Sequence, residues 1–145
     1  DRLRSRGLGD VYKRQVWSFG DETYPILVKF IRLRELLRDY TRSLMKQAHE
    51  TGDPVIRALF YEFPDDKKCW DITDSYLFGP DVLVAPVCHE KARSRRVYLP
   101  SGASWTDART GQVFSGGQWI EADAPLDTLP VFLREGRQGY LIGKI

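Results

Sequence analysis

ASWTDARTGQVFSGGQWIEA, residues 103–122, is the stretch that decides the fold. Short runs of Trp, Thr, Val, Phe and Ile alternate with polar residues, and turn residues punctuate them at Arg109–Gly111 and Ser115–Gly117. β-Branched and aromatic residues fit a pleated, half-buried surface, and glycine supplies the left-handed turn geometry between runs. The stretch therefore reads as successive β-hairpins, with turns at both glycine positions.

Working outward, similar runs occupy Val55–Phe63, Tyr76–Val87 and Arg96–Leu99 upstream, and Val131–Leu133 and Tyr140–Ile142 downstream. VLVAPV, residues 82–87, is apolar on both faces and reads as a central, buried strand. Strands at this spacing predict an antiparallel sandwich-like unit of about 90 residues. Its expected buried anchors are Leu83, Val84, Val87, Trp105, Val131 and Phe132.

Before Asp53 the period changes. Leu27, Phe30, Ile31, Leu37, Tyr40, Leu44, Met45 and Ala48 recur at the 3–4 spacing of an amphipathic helix. Pro25 suits a first turn and Gly52 a left-handed stop. The spacing predicts one helix over 25–50, about 39 Å long at 1.5 Å per residue. The class is thus α+β: a helix, then an all-β unit.

The chain has 145 residues, 42% of them hydrophobic and 29% charged, the balance of an ordinary globular domain. Apolar runs stay well short of the roughly 18 residues a membrane helix needs. The first residues are charged and offer no apolar signal core. Two cysteines, Cys69 and Cys88, cannot build a disulfide framework and are expected as free thiols. Residues 1–15 hold five Arg/Lys and two acids, whereas residues 16–145 hold 17 bases and 18 acids. A basic patch for nucleic acid would have to come from the N-terminal segment alone.

That segment reads as a scar rather than as protein. Asp10–Gln15 can be written in DNA as GAT GTG TAT AAG AGA CAG, which resembles a transposon end used in sequencing libraries. The same frame upstream gives RSRGLG, matching Arg4–Gly9. Native coding sequence is then expected from near Val16.

Asp65, Asp66, Asp71, Asp74, Asp81, Asp107, Asp123 and Asp127 sit mostly beside Pro, Gly, Ser or Thr. There Asp caps turns through nearby backbone amides, so structural roles are expected rather than a catalytic carboxylate pair. Cys69, Cys88, His49 and His89 show no metal-ligand spacing, and no serine sits in a nucleophile elbow. Trp17, Trp70, Trp105 and Trp119 could stack on sugar faces, but burial in cores and seams is the expected role of Trp here.

Five segments in order resemble one family: WSFGDE (17–22), GDPVIRALFYEFPDD (52–66), YLFGPDVLVAPV (76–87), RRVYLPSGASWTDARTGQVFSGG (95–117) and APLDTLPVFLREG (124–136). Together they look like the C-terminal part of glycoside hydrolase family 31, the family of α-glucosidases, α-xylosidases and related retaining α-glycosidases. The resemblance implies that 16–52 is the C-terminal end of a catalytic (β/α)₈ barrel, with the helix at 25–50 its last helix, and 53–145 the proximal C-terminal β domain. It places the catalytic aspartates upstream of Trp17, so no catalytic residue is assigned in this chain. Trp17 and Phe19, nearest the last barrel strand, are the candidate substrate-binding residues. An oligosaccharide partner reached through the barrel, a cytoplasmic location, no cofactor and no metal complete the expectation. Two other readings are a stand-alone carbohydrate-binding module using exposed tryptophans and a nucleic-acid binder using the basic arm.

Overall fold

A computed structural model describes residues 15–145, so the reading of residues 1–15 as an adapter scar falls, but for Gln15, outside the described residues. The chain divides into two compact units at Leu37/Arg38. In the first, a 3₁₀ turn (Val16–Phe19) precedes helix α1 (Thr23–Leu36). The second begins with helix α2 (Arg38–Thr51) and continues through α3 (Leu59–Glu62) and eight strands. These are β1 (Ile56–Arg57), β2 (Tyr76–Phe78), β3 (Val82–Val84), β4 (Ser94–Leu99), β5 (Ser104–Asp107), β6 (Val113–Ser115), β7 (Gln118–Asp123) and β8 (Val131–Arg134).

The single helix expected over 25–50 is therefore two. Leu37, at φ −83° and ψ 0°, leaves the helical region without any Gly or Pro to announce it. From Arg38 onward the helix packs on the strands of the second unit: the Tyr40 ring meets Phe78 edge-on at 5.8 Å, and its hydroxyl donates to the Phe78 carbonyl (3.1 Å). Gly52 does end α2 as expected, at φ +82° with its N–H on the Ala48 carbonyl (3.1 Å).

All strand pairs are antiparallel. Six strands form one sheet in the order β1-β2-β3-β8-β5-β6, and β4 and β7 form a separate two-stranded ribbon. β3 is buried on both faces, as its unbroken apolar run demands. Leu83 lies opposite Phe132 on one face, while Val82 and Val84 lie opposite Leu133 and Val131 on the other. The core cluster joins Leu77, Leu83, Trp105 and Phe132 of the large sheet to Val97, Leu99 and Ala122 of the ribbon. Trp105 is fully buried, and its indole N–H is satisfied by the Pro100 carbonyl (2.9 Å).

Four further expectations need correction. Val55–Phe63 is not a strand: after two paired residues it becomes helix α3. Tyr140–Ile142 does not close the sheet, because Gly139–Leu141 is a 3₁₀ turn. Val87 lies beyond the end of β3 and is only partly buried, so it is not a core anchor; the other five anchors are buried. Finally, Ser115–Gly117 is not a hairpin turn. β6 pairs with β5, whereas β7 pairs with β4, so the chain changes sheets there. Gly116 makes the crossing possible: a Cβ would collide with the carbonyl oxygens of Pro100 and Ala103. The hairpin at Arg109–Gly111 is present, because β5 pairs with β6 across it.

Leu83→Ala is expected to cost about 2–5 kcal/mol in urea denaturation, because its site cannot collapse between two sheets. Val113→Ala, exposed on the edge strand, should stay within about 0.5 kcal/mol.

Candidate functional site

Trp17 and Phe19, the candidate substrate-binding residues, both lie in the 3₁₀ turn Val16–Phe19 and are 65% and 53% exposed. Nothing in that turn is buried, so both rings stand open on the first unit.

In the second unit the carboxylates do what turn-forming acids do. Asp107 Oδ1 accepts from the Arg109 and Thr110 N–H groups (2.7 and 3.2 Å), capping the β5–β6 turn. Asp74 pairs with Arg95 (2.7 Å), and Asp123 with Arg109 (3.2 Å). Asp81 takes the Gln138 amide (3.0 Å) and Arg137 (3.3 Å). Asp66 is the most heavily bonded. Its Oδ2 accepts from the Tyr98 hydroxyl (2.7 Å) and from both the N–H and the hydroxyl of Ser101 (2.9 Å each).

These bonds have a chemical consequence. Desolvation pushes the Asp66 carboxyl up, but the hydrogen bonds from Ser101, Tyr98 and Lys68 outweigh it and hold it below the usual carboxylate range. Asp53 is also lowered, by bonds from Tyr61, Thr51 and Gln47. A general acid for glycoside cleavage needs the opposite shift. Both displaced carboxylates are thus acceptors built for charge, not proton donors.

The most distinctive surface lies on α3 and the 3₁₀ turn Lys67–Trp70. Glu62 sits between two arginines, Arg57 and Arg134 (3.4 Å to the latter), in a mostly buried clamp. Arg134 also lies over the Phe63 ring at 4.8 Å. The clamp seats α3 so that Phe60 stacks on Trp70, 4.6 Å apart and 12° from parallel. The Trp70 indole N–H donates to the Pro64 carbonyl (3.0 Å), and the Tyr61 hydroxyl donates to Asp53 (2.6 Å). Ile56, Phe60, Tyr61 and Trp70 are all exposed, yet Phe60, Tyr61 and Trp70 are held by named partners. This is an ordered aromatic ledge. Reading Val55–Phe63 as a strand hides it; the signal was Glu62, an acid inside an apolar run that requires cationic partners.

Burial of tryptophan holds only for Trp105. Trp17, Trp70 and Trp119 are exposed. Cys69 and Cys88 are free thiols as expected: Cys69 is buried, with its thiol pushed up to about 12 by desolvation and the nearby Asp66 charge, while Cys88 is exposed beside His89. Among the described residues, no group of three or more His, Cys, Asp or Glu is gathered for a metal ion. Nor is any helix of the described residues long and apolar enough to cross a membrane.

The Asp66 bonds predict an acid limb to stability. A depressed carboxyl contributes stability above its unfolded value, near pH 4, and loses it as pH falls through the folded value. Asp66→Asn is expected to cost about 1–3 kcal/mol at neutral pH and to flatten the decline below about pH 4, followed by denaturation across pH.

With this geometry established, three comparisons are informative. The profile of the glycosyl hydrolase family 31 C-terminal domain matches residues 52–137. Alpha-glucosidase 2 of Bacillus thermoamyloliquefaciens is 40% identical over 124 residues, covering 86% of this chain and 16% of its own. Alpha-xylosidase of Saccharolobus solfataricus is 35% identical over 136 residues, 94% of this chain and 19% of its own. A crystal structure of a GH31 alpha-xylosidase from a soil metagenome, complexed with xylose, superposes with a TM-score of 0.85 at 48% identity, covering 88% of this chain and 19% of that one. The chain thus spans less than a fifth of the length of each of these relatives. It belongs to glycoside hydrolase family 31 and carries that family's C-terminal domain.

Proposed function

We propose that this chain is the C-terminal part of a retaining α-glycosidase that releases terminal α-linked glucose or xylose from oligosaccharides, and that it hydrolyses nothing by itself. The observation that carries the second half is the state of the acids. Asp66 and Asp53 are held in the charged form, while Asp74, Asp81, Asp107 and Asp123 are taken up in turns and ion pairs. A retaining glycosidase needs one carboxylate as nucleophile and a second carboxyl that protonates the leaving oxygen, then activates water. In this reading both lie on a barrel encoded ahead of Val16, with 16–52 the end of that barrel and 53–145 the β domain that follows it.

The retained part then has a mechanical role. The aromatic ledge of Phe60, Tyr61 and Trp70 is the face that packs on the rest of the enzyme, since apolar groups pinned in place and left wet call for a cover. Trp17 and Phe19 border the sugar pocket at the barrel end. Residues 1–15 are adapter-derived in the same reading; a native transcript encoding them would overturn that part.

The extended protein, expressed from the full reading frame, should release p-nitrophenol from the α-glucoside, the α-xyloside or both, while the 145-residue chain releases none above buffer. Hydrolysis by the short chain would refute its inactivity, and an inert extended protein would refute the glycosidase assignment.

A further inference from the structure

The β4–β7 ribbon presents a second surface, separate from the ledge. Its register places Ser94 opposite Asp123, Arg96 opposite Glu121 and Tyr98 opposite Trp119, so these six residues share one face. On that face Tyr98 is buried beneath its neighbours, whereas Trp119 is 40% exposed. The two rings meet at 5.2 Å and 52°, and the Arg96 guanidinium lies 4.7 Å from the Trp119 ring centroid. Ser94 Oγ donates to Glu121 Oε1 at 2.6 Å. The floor is therefore an indole held by an aromatic neighbour, with a guanidinium over it and a carboxylate two residues along the same strand.

Ser94 and Arg96 also line a cavity of about 290 Å³, together with Asp74, His89 and Arg95. Arg95 anchors its wall. The guanidinium pairs with Asp74 (2.7 Å) and donates to the Ser75 hydroxyl (3.2 Å), the Asp74 carbonyl (3.0 Å) and the Pro86 carbonyl. The volume approaches the lower end of small-molecule pockets, roughly 300–1,000 Å³, and suits a sugar ring.

The chemistry of the lining narrows the ligand. In the cavity Asp74 is already paired with Arg95, and on the ribbon face Glu121 lies opposite Arg96, so across face and cavity together neither charge sign is favoured. A neutral polyol uses both sets, its hydroxyls donating to the carboxylates and accepting from guanidinium and imidazole. Arg96 already covers part of the Trp119 ring, and the 40% of the residue that stays exposed offers apolar area to the C–H side of a pyranose. We propose that the β4–β7 face and its adjoining cavity form an oligosaccharide subsite, with one ring against Trp119 and its neighbour at the Ser94–Arg96 rim. The choice of an α-linked glucan as ligand rests on the glycosidase reading above. The site itself rests on the ribbon.

The test is an NMR titration of the nitrogen-labelled 145-residue chain with maltotriose and with isomaltotriose. Saturable shifts are expected on β4 and β7, with affinity lost by about tenfold or more in Trp119→Ala and unchanged in Trp70→Ala. Circular dichroism checks that each variant is folded. If Trp119→Ala is not, Glu121→Gln, which keeps the shape, decides in its place by a severalfold loss. Absence of shifts up to roughly 10 mM of both sugars, or full affinity in the deciding variant, would overturn the subsite. Neither result bears on hydrolysis by the extended protein. Conversely, an inert extended protein would leave a positive titration standing.

Discussion

The structure depends on one constraint: β3 is buried on both faces, so the central sheet must be covered twice. Leu83, beside Phe132 and next to Leu77, faces the core shared with the β4–β7 ribbon. On the opposite side the Phe78 ring, one strand away, is met by Tyr40 of α2. Gly79 shows how close that approach is, since a Cβ there would fall against the Tyr40 hydroxyl and the Leu44 methyls. Its φ of +63° also suits glycine in the turn between β2 and β3. Both covers are non-local, one from α2 and one from strands that follow β3.

The acids illustrate how environment assigns a role to a residue type. An aspartate among backbone N–H groups and hydroxyls is stabilised in its charged form, and that makes it a good strut and a poor proton donor. Asp66 ties the Lys67–Trp70 turn to Tyr98 of β4 and to Ser101. Asp81 ties the β2–β3 turn to Arg137 and Gln138 after β8. Each bridges segments distant in sequence. That is work for a scaffold, in keeping with a C-terminal domain of a family 31 hydrolase.

The exposed aromatic groups of the ledge and of the ribbon have different surroundings. At the ledge, Phe60 and Trp70 stack nearly parallel, and Trp70 has already given its N–H to Pro64. Such a surface offers mainly apolar area and fits a protein cover. On the ribbon, Trp119 lies beside Arg96, Glu121 and Ser94 and next to the cavity that Asp74, His89 and Arg95 line. Directional donors and acceptors around one ring fit a small hydroxylated ligand better than a protein face.

Several features were legible in the sequence because their causes are local. The buried β3 follows from an unbroken apolar run, the end of α2 from Gly52, the β5–β6 hairpin from Arg109–Gly111, and the structural acids from their turn-forming neighbours. Features that depend on a distant partner were decided only by tertiary structure. Ser115–Gly117 has the chemistry of a hairpin turn, yet β7 pairs with β4, because Gly116 fits against the Pro100 and Ala103 carbonyls. LFYE, residues 59–62, has strand-like composition, yet it is helical and seated by Arg57 and by Arg134, which lies 72 residues from Glu62 in the chain. The division of the expected helix at Leu37 and the exposure of Trp70 and Trp119 belong to the same class. Propensity and turn chemistry act over a few residues, whereas which sheet a strand joins, and which ring stays wet, are settled by contacts made across the whole domain.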